Sequence, residues 1–239
     1  MTSSTPAVTT CTVPEDSHRC PCEALPRLRR LHDEIIAAAA VLDRNTAAPV
    51  RWTGRSRREL LGYGLDDEAD RYRDTFNWCI TLSDALTEDR IREIHHRAVG
   101  GRQYRTCHLW ITNGFRHAEP DEIAKLMRIA FSNYLVRCRD WPSSARALGL
   151  HLDILTAHPF RDGNGRTARL AAAIVLVQAG FRSTTFTAVD RYFECEPATY
   201  LHILDAYRYA QICRTRTIEL LVQGMAEAVE RECTSHAQA

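Results

Sequence analysis

His158-Pro159-Phe160-Arg161-Asp162-Gly163-Asn164-Gly165-Arg166-Thr167-Ala168-Arg169 gathers an imidazole, a carboxylate, a turn bounded by two glycines and spaced arginines within twelve residues. Pro159 disfavours the α region for the residue before it, so a helix arriving from the N-terminal side is expected to end at His158. Gly163 and Gly165 permit dihedrals closed to other residues and let bare main chain approach whatever lies over the turn. A second helix should open at about Gly165 or Arg166 and run to Gly180, a glycine suited to a C-terminal stop. The pattern is helix, tight loop, helix. The first N–H groups of the second helix have no partner within it, and such a helix start favours anions.

Arg166 and Arg169 are three apart and share one face of that first turn, where the helix dipole makes cations mildly unfavourable. A bound polyanion reverses the penalty. The continuation, Leu170 to Val177, is apolar on every side and reads as a central buried helix, which would hold its charged opening turn at a pocket floor. Asp162 offers an oxygen ligand suited to Mg²⁺, which takes one or two carboxylates together with phosphate oxygens and water. His158 has an unperturbed pKa near neutrality and can accept a proton from an incoming hydroxyl. Base, carboxylate, anion cradle and arginine clamp together describe phosphoryl or nucleotidyl transfer.

Simpler readings fail on specific residues. A lone histidine at a helix end is ordinarily a surface or capping residue, and only the loop that follows lifts His158 out of that class. Asp162-Gly163-Asn164-Gly165 suggests a calcium loop, but with Gly165 as the turn glycine Phe160 would occupy the first ligand position and Ala171 the bidentate position. No Gly-x-x-x-x-Gly-Lys-Ser/Thr occurs, so the phosphate site is not a P-loop.

Outward from the motif, the chain reads as helices. The spacing of Leu25, Leu28, Leu31, Ile35, Ile36 and Ala39 predicts an amphipathic helix from Glu23 to Asp43. Further helices are expected over Glu68 to Asp84, over Thr87 to Val99 with Thr87 as N-cap, and from Pro120 to about Asp140. Another should start at Ser143 or Ser144, and Pro197 should introduce one long run to about Glu230. The exception is His108-Leu109-Trp110-Ile111-Thr112, Asn113-Gly114, Phe115-Arg116-His117, two extended runs about the strongest short hairpin signal. A two-stranded hairpin is marginal alone and must lean on something. The fold expected is therefore all-α with one β-hairpin. It divides into a disordered arm over 1–22, a helical extension over 23–86, a core over 87–210, and a C-terminal helix and tail over 211–239.

Composition excludes some function classes. Acidic and basic residues nearly balance, at 30 against 31 for a net charge of +1, which is no footprint for nucleic acid. The longest apolar run is far short of a membrane span. The Ser/Thr/Pro-rich N-terminus has no apolar core of a secretory signal, which points to a cytoplasmic protein, at least where it is made. Nine cysteines, an odd number, fit reduced thiols better than a disulfide framework. His18, Cys20 and Cys22 cluster, but Cys-x-Cys lacks the usual zinc spacing.

The motif resembles, at each of eight specified positions, the Fic-family signature His-x-Phe-x-Asp/Glu-Gly-Asn-Gly-Arg-x-x-Arg. The resemblance extends over about Thr87 to Ala210 and implies a Fic-like helical bundle. By that resemblance, His158 deprotonates a Ser, Thr or Tyr hydroxyl on a target protein, and the oxygen attacks the α-phosphate of ATP. Asp162 carries Mg²⁺; Gly163, Asn164 and Gly165 wrap the α- and β-phosphates; Arg166 and Arg169 neutralise the β- and γ-phosphates; Phe160 is a buried anchor. The hairpin, Leu109-Trp110-Ile111-Thr112-Asn113-Gly114-Phe115, corresponds to a flap that docks an extended target segment by strand addition. Its alternative is a surface hairpin whose Trp110 and Phe115 fill core.

The resemblance points to a protein adenylyltransferase. Transfer of UMP, GMP, phosphate or phosphocholine, removal of AMP, and a non-catalytic nucleotide-binding module are the other readings. Gly165 argues against phosphate transfer and Gly163 against phosphocholine, because relatives with those activities carry Lys and Ala there. Many Fic proteins contain an inhibitory Ser/Thr-x-x-x-Glu-Gly/Asn helix. The nearest stretch is Thr215-Arg216-Thr217-Ile218-Glu219, followed by Leu220, so inhibition falls to a separate inhibitory protein, a divergent motif or nothing.

Overall fold

The computed structural model describes residues 24–45, 66–109, 117–182, 197–208 and 212–237. Among these residues the regular structure is helical, as expected: α1 (Ala24–Asn45), α2 (Asp66–Cys79), α3 (Glu88–Ala98), α4 (Ile123–Ser132) running into a π-helical turn (Asn133–Arg137), α5 (Ser143–Ala157), α6 (Asn164–Gln178), α7 (Pro197–Arg208) and α8 (Arg214–Ala237). Of the hairpin expected over Leu109 to Phe115, only Leu109 lies within the described residues, and it is not in a strand. The arm and the His18, Cys20 and Cys22 cluster also fall outside them.

The centre of the molecule is the α5–α6 hairpin. Along α5 nearly every side chain from Ser144 to Ala157 is buried, and α6 is buried from Thr167 to Leu176 except for Arg169. A helix can be this apolar only when neighbours cover it on all sides. Here α5 and α6 lie against each other, α2 and α3 cover α6, and α4 and α8 cover α5. Each fully buried leucine or isoleucine in that centre contributes about 1.5–3 kcal/mol of burial.

α1 lies along α8 and buries Leu28, Leu31, Ile35 and Ala39 of the expected stripe, extended by Leu42, while Leu25 is only partly buried. Ile36 departs from the expected stripe and is half-exposed. Thr87 caps α3 as expected, its Oγ1 accepting from the Arg90 N–H at 3.2 Å. α6 stops at Gln178, and Gly180 follows at φ 94°, a left-handed conformation that glycine adopts without strain.

Three helix boundaries differ from the sequence expectation. The helix expected to reach Asp84 ends at Cys79, where Thr81 and Leu82 fold back on Trp78 and Cys79 in a tight turn. The helix expected to reach Asp140 stops being α-helical at Ser132 and widens into the π turn, which brings Asn133 to donate to Asp153 at 3.2 Å. The run from Pro197 to Glu230 is two helices, not one. The second opens with Arg214, whose guanidinium enters the core and binds Asp153 through Nε at 2.9 Å and Nη2 at 2.7 Å. A charge pair formed between residues 61 apart leaves no trace in local periodicity.

Candidate active site

α5 delivers His158 as its C-cap, in the left-handed conformation at φ 46° and ψ 57°. Pro159 drives it out of the α region as expected, though into the left-handed well instead of the extended one. Among the described residues it is the single non-glycine with positive φ. Such a conformation costs about 1 kcal/mol or more and persists where surrounding contacts over-determine it.

Arg105 supplies those contacts. Its main-chain N–H donates to the Pro159 carbonyl at 2.8 Å and its Nε to the His158 carbonyl at 2.8 Å. Nη1 donates to Cys107 at 2.9 Å and Nη2 to Ala118 at 2.6 Å. One buried guanidinium thus ties the loop to the chain on either side of residues 110–116. Burial pushes the Arg105 guanidinium below its ordinary pKa, with Cys107 and Glu119 acting in the opposite direction.

Phe160 is fully buried beneath the loop, stacked on the His95 ring at 3.7 Å and edge-on to Tyr104 at 5.5 Å. The His95 ring bridges two strangers in sequence, with Nδ1 2.8 Å from the Gly101 carbonyl oxygen and Nε2 3.0 Å from that of Asp162. Asn164 closes the loop from the other side: its Oδ1 accepts from the Phe160 N–H at 2.9 Å and its Nδ2 donates to the Phe160 carbonyl at 2.8 Å. The Asn164 side chain is thereby a brace, and what it can offer a ligand is main-chain N–H at the start of α6.

Gly163 is the N-cap of α6 at φ 72°, and a Cβ there would sit 2.3 Å from Val99 Cγ2. Backbone conformation and the close approach of α3 both demand glycine. A Cβ on Gly165 would meet nothing within 4 Å, so that stretch of main chain borders open space. The first N–H groups of α6 lie along it without intrahelical partners.

Three charged residues flank this ledge in sequence, Asp162 before it and Arg166 and Arg169 after it. Asp162 is exposed and accepts at Oδ2 from Arg166 Nη2 at 2.9 Å. Arg166 is itself buried, and its Nη1 lies 3.6 Å from Glu68 of α2. Arg169, one turn on, is half-buried with its guanidinium 5.7 Å from the Tyr72 ring centroid. Of the expected residues, His158, Asp162, Gly163, Asn164, Gly165, Arg166 and Arg169 are contiguous on one loop and helix start. Of the flap, Trp110 to Phe115 lie outside the described residues. The sequence reading missed His95, Arg105, His117 and Glu68. A weak signal existed for His95 alone, a histidine on the face of α3 that Ile91, Ile94 and Ala98 bury.

Glu219 takes no part in the site. It is buried and ion-paired with Arg27 of α1 and Arg216, at 2.7 Å from the latter, so it is a strut between α1 and α8.

Comparison with known proteins finds relatives of this chain. Residues 85–176 match the Fic/DOC family model. The chain is 32% identical to the protein adenylyltransferase Fic of Nematostella vectensis over 75% of its own length and 43% of that protein. The counterpart in Aedes aegypti is 27% identical over 62% of this chain and 32% of that protein. The chain therefore spans less than half the length of these curated relatives. In structure it resembles a Fic family protein from Desulfovibrio desulfuricans G20, with TM-score 0.64, 17% identity and coverage of 97% and 78%. A Fic domain containing signaling protein from Bacteroides thetaiotaomicron gives TM-score 0.58, 18% identity and coverage of 94% and 93%.

Proposed function

We propose, from the match of residues 85–176 to the Fic/DOC family model, that the chain is a protein adenylyltransferase, moving AMP from ATP to a Ser, Thr or Tyr hydroxyl of a target protein. His158 accepts the hydroxyl proton, the target oxygen bonds to the α-phosphorus, the bond from that phosphorus to the bridging oxygen breaks, and pyrophosphate leaves. The N–H groups of Gly163, Asn164 and Gly165 receive the α- and β-phosphates, and Arg166 and Arg169 take the charge of the β- and γ-phosphates. A Cβ on Gly165 would meet no atom within 4 Å, which suits the approach of a phosphate to the helix start.

The donor set fits Mg²⁺. Asp162 presents one exposed carboxylate beside the anion-binding ledge, and Mg²⁺ completes its shell from phosphate oxygens and water. When bound there it would supply charge neutralisation between adjacent phosphates. Arg166, already on Asp162, then aligns the same carboxylate from the protein side. The target-docking flap, Leu109 to Phe115, remains part of this reading. Glu219 is held by Arg27 and Arg216, so the readings for inhibition stay a separate inhibitory protein, a divergent motif or none.

The observation that carries the reading is the meeting, on one short loop, of a histidine at a helix end, an exposed carboxylate and two arginines beside bare main chain. Incubation with ATP labelled at the α-phosphate, in cell lysate with Mg²⁺, tests it. Label should enter protein with the parent, should not do so from γ-labelled ATP, and should fall at least about a hundredfold in His158→Ala. Equal labelling by His158→Ala, or transfer of the γ-label, overturns it. Labelled GTP, UTP and CTP in parallel identify the base that is used.

A further inference from the structure

His158 stands beyond the last turn of α5, so no succeeding helical turn restrains its side chain, and its ring is only partly buried. A flat neighbour lies against it. The His117 ring lies nearly parallel to the His158 ring, 26° between planes and 3.7 Å between centroids, and His117 is itself buried at 7% exposure. His117 is anchored in turn. The carbonyl of the next residue, Ala118, accepts from Arg105 Nη2 at 2.6 Å, while Nε of the same guanidinium holds the His158 carbonyl at 2.8 Å. One rigid group therefore sets the main chain beside both rings, and the ring planes register against each other as a consequence.

From this geometry we propose that His117 is a positioning residue, a flat platform that confines the His158 imidazole to the orientation in which it meets the target hydroxyl. The inference rests on the reading of His158 as the base. A base acts when its nitrogen is within about 2.6–3.2 Å of the heavy atom that carries the proton, or is joined to it by one water, and a displacement of about 1 Å costs on the order of a hundredfold in rate. Two flat rings stacked face to face leave the upper ring one tilt, whereas an aliphatic side chain of equal bulk leaves several. His117 touches no reacting atom in this scheme, and the ATP site on Gly163 to Arg169 does not include it.

The test compares His117→Phe, which keeps a flat ring, with His117→Leu, which keeps bulk without a plane. For label transfer from α-labelled ATP into lysate protein, His117→Phe should stay within about threefold of the parent. His117→Leu should lose about 10- to 100-fold in maximal rate, with the apparent KM for ATP within about twofold. Thermal melts report whether each variant folds. Independently of transfer, the His158 ring protons should resonate upfield in the parent through the ring current of His117, remain upfield in His117→Phe, and move downfield in His117→Leu. If parent and His158→Ala are equally inactive, the adenylyl-transfer reading fails, and the proton shifts still decide the stack. Unchanged shifts in His117→Leu, or a His117→Leu rate equal to a parent that His158→Ala abolishes, overturns the proposal. Should His117→Leu not fold, His117→Phe decides: His158 ring protons moved out of their upfield position there overturn it.

Discussion

The Arg105 guanidinium donates through Nε to the carbonyl oxygen of His158 at 2.8 Å, although the two residues are 53 apart in sequence. The bond grips the one described non-glycine residue held at positive φ, and three further bonds from Arg105 reach Pro159, Cys107 and Ala118. The candidate base is thus set by a residue that makes no proposed contact with substrate.

Arg105→Lys should therefore cost more than a lost surface charge. Lysine cannot fan three donors in one plane to the carbonyls of His158, Cys107 and Ala118. Carbonyls left without donors, that of Ala118 buried and those of His158 and Cys107 partly so, should lower stability by about 2–4 kcal/mol, and the slackened loop should lower label transfer at least about tenfold. An unchanged denaturant midpoint would show that the clip contributes nothing.

Gly163→Ala tests the contact between the loop and α3. The left-handed φ of 72° costs an alanine about 1 kcal/mol, and the Cβ overlapping Val99 adds about 1–3 kcal/mol. Val99→Ala in the same chain should return most of the second contribution, since only the Val99 Cβ at 3.1 Å stays close, and leave the first. Equal destabilisation by Gly163→Ala with valine or alanine at position 99 would place the strain elsewhere.

Glu68 competes with phosphate for Arg166 in this scheme. The pair is 3.6 Å apart and Glu68 is 44% exposed, so it is worth at most about 1 kcal/mol. Glu68→Gln should lower the apparent KM for ATP by up to about fivefold. A raised KM would mean that Glu68 orients Arg166 instead of occupying it.

His151 makes stability sensitive to acid. Burial, then the nearby Arg169 charge, lowers its pKa from the ordinary 6.5 to about 3, while its Nε2 lies 2.7 Å from the Tyr200 hydroxyl. As pH falls below 6.5 the unfolded chain takes up the proton and the folded chain does not, so this contribution is full above pH 6.5 and shrinks as pH falls toward 3. The slope is at most about 1.4 kcal/mol per pH unit. Denaturant midpoints at pH 7, 6 and 5 should decline in the parent more steeply than in His151→Gln. Parallel declines would remove His151 as the source.

Much of the site could be read before any coordinates. A histidine before proline, two glycines in a four-residue turn and arginines three apart are local facts, and local sterics with helix periodicity convert them into a helix end, a tight loop and a helix start with unpartnered N–H groups. The same holds for the apolar run of α6 and for Thr87 at the head of α3. Asn164 was legible as a loop residue but not as the brace it is, because its partners are the main-chain atoms of Phe160 and appear only once the turn has closed.

What lies outside that reach shares one property: the partners come from distant parts of the chain. Arg105 on His158, His95 on Asp162, His117 beside His158, Glu68 against Arg166 and Arg214 on Asp153 each pair residues that periodicity treats as unrelated. By itself the amino-acid order determined the helical class, the loop between two buried helices and the identity of its chemical groups, since these follow from dihedral restrictions and residue spacing. Tertiary packing alone decided which way the imidazole faces, which carboxylate reaches the first motif arginine and where α7 gives way to α8. Those outcomes depend on distances through space, which exist only after the helices have packed.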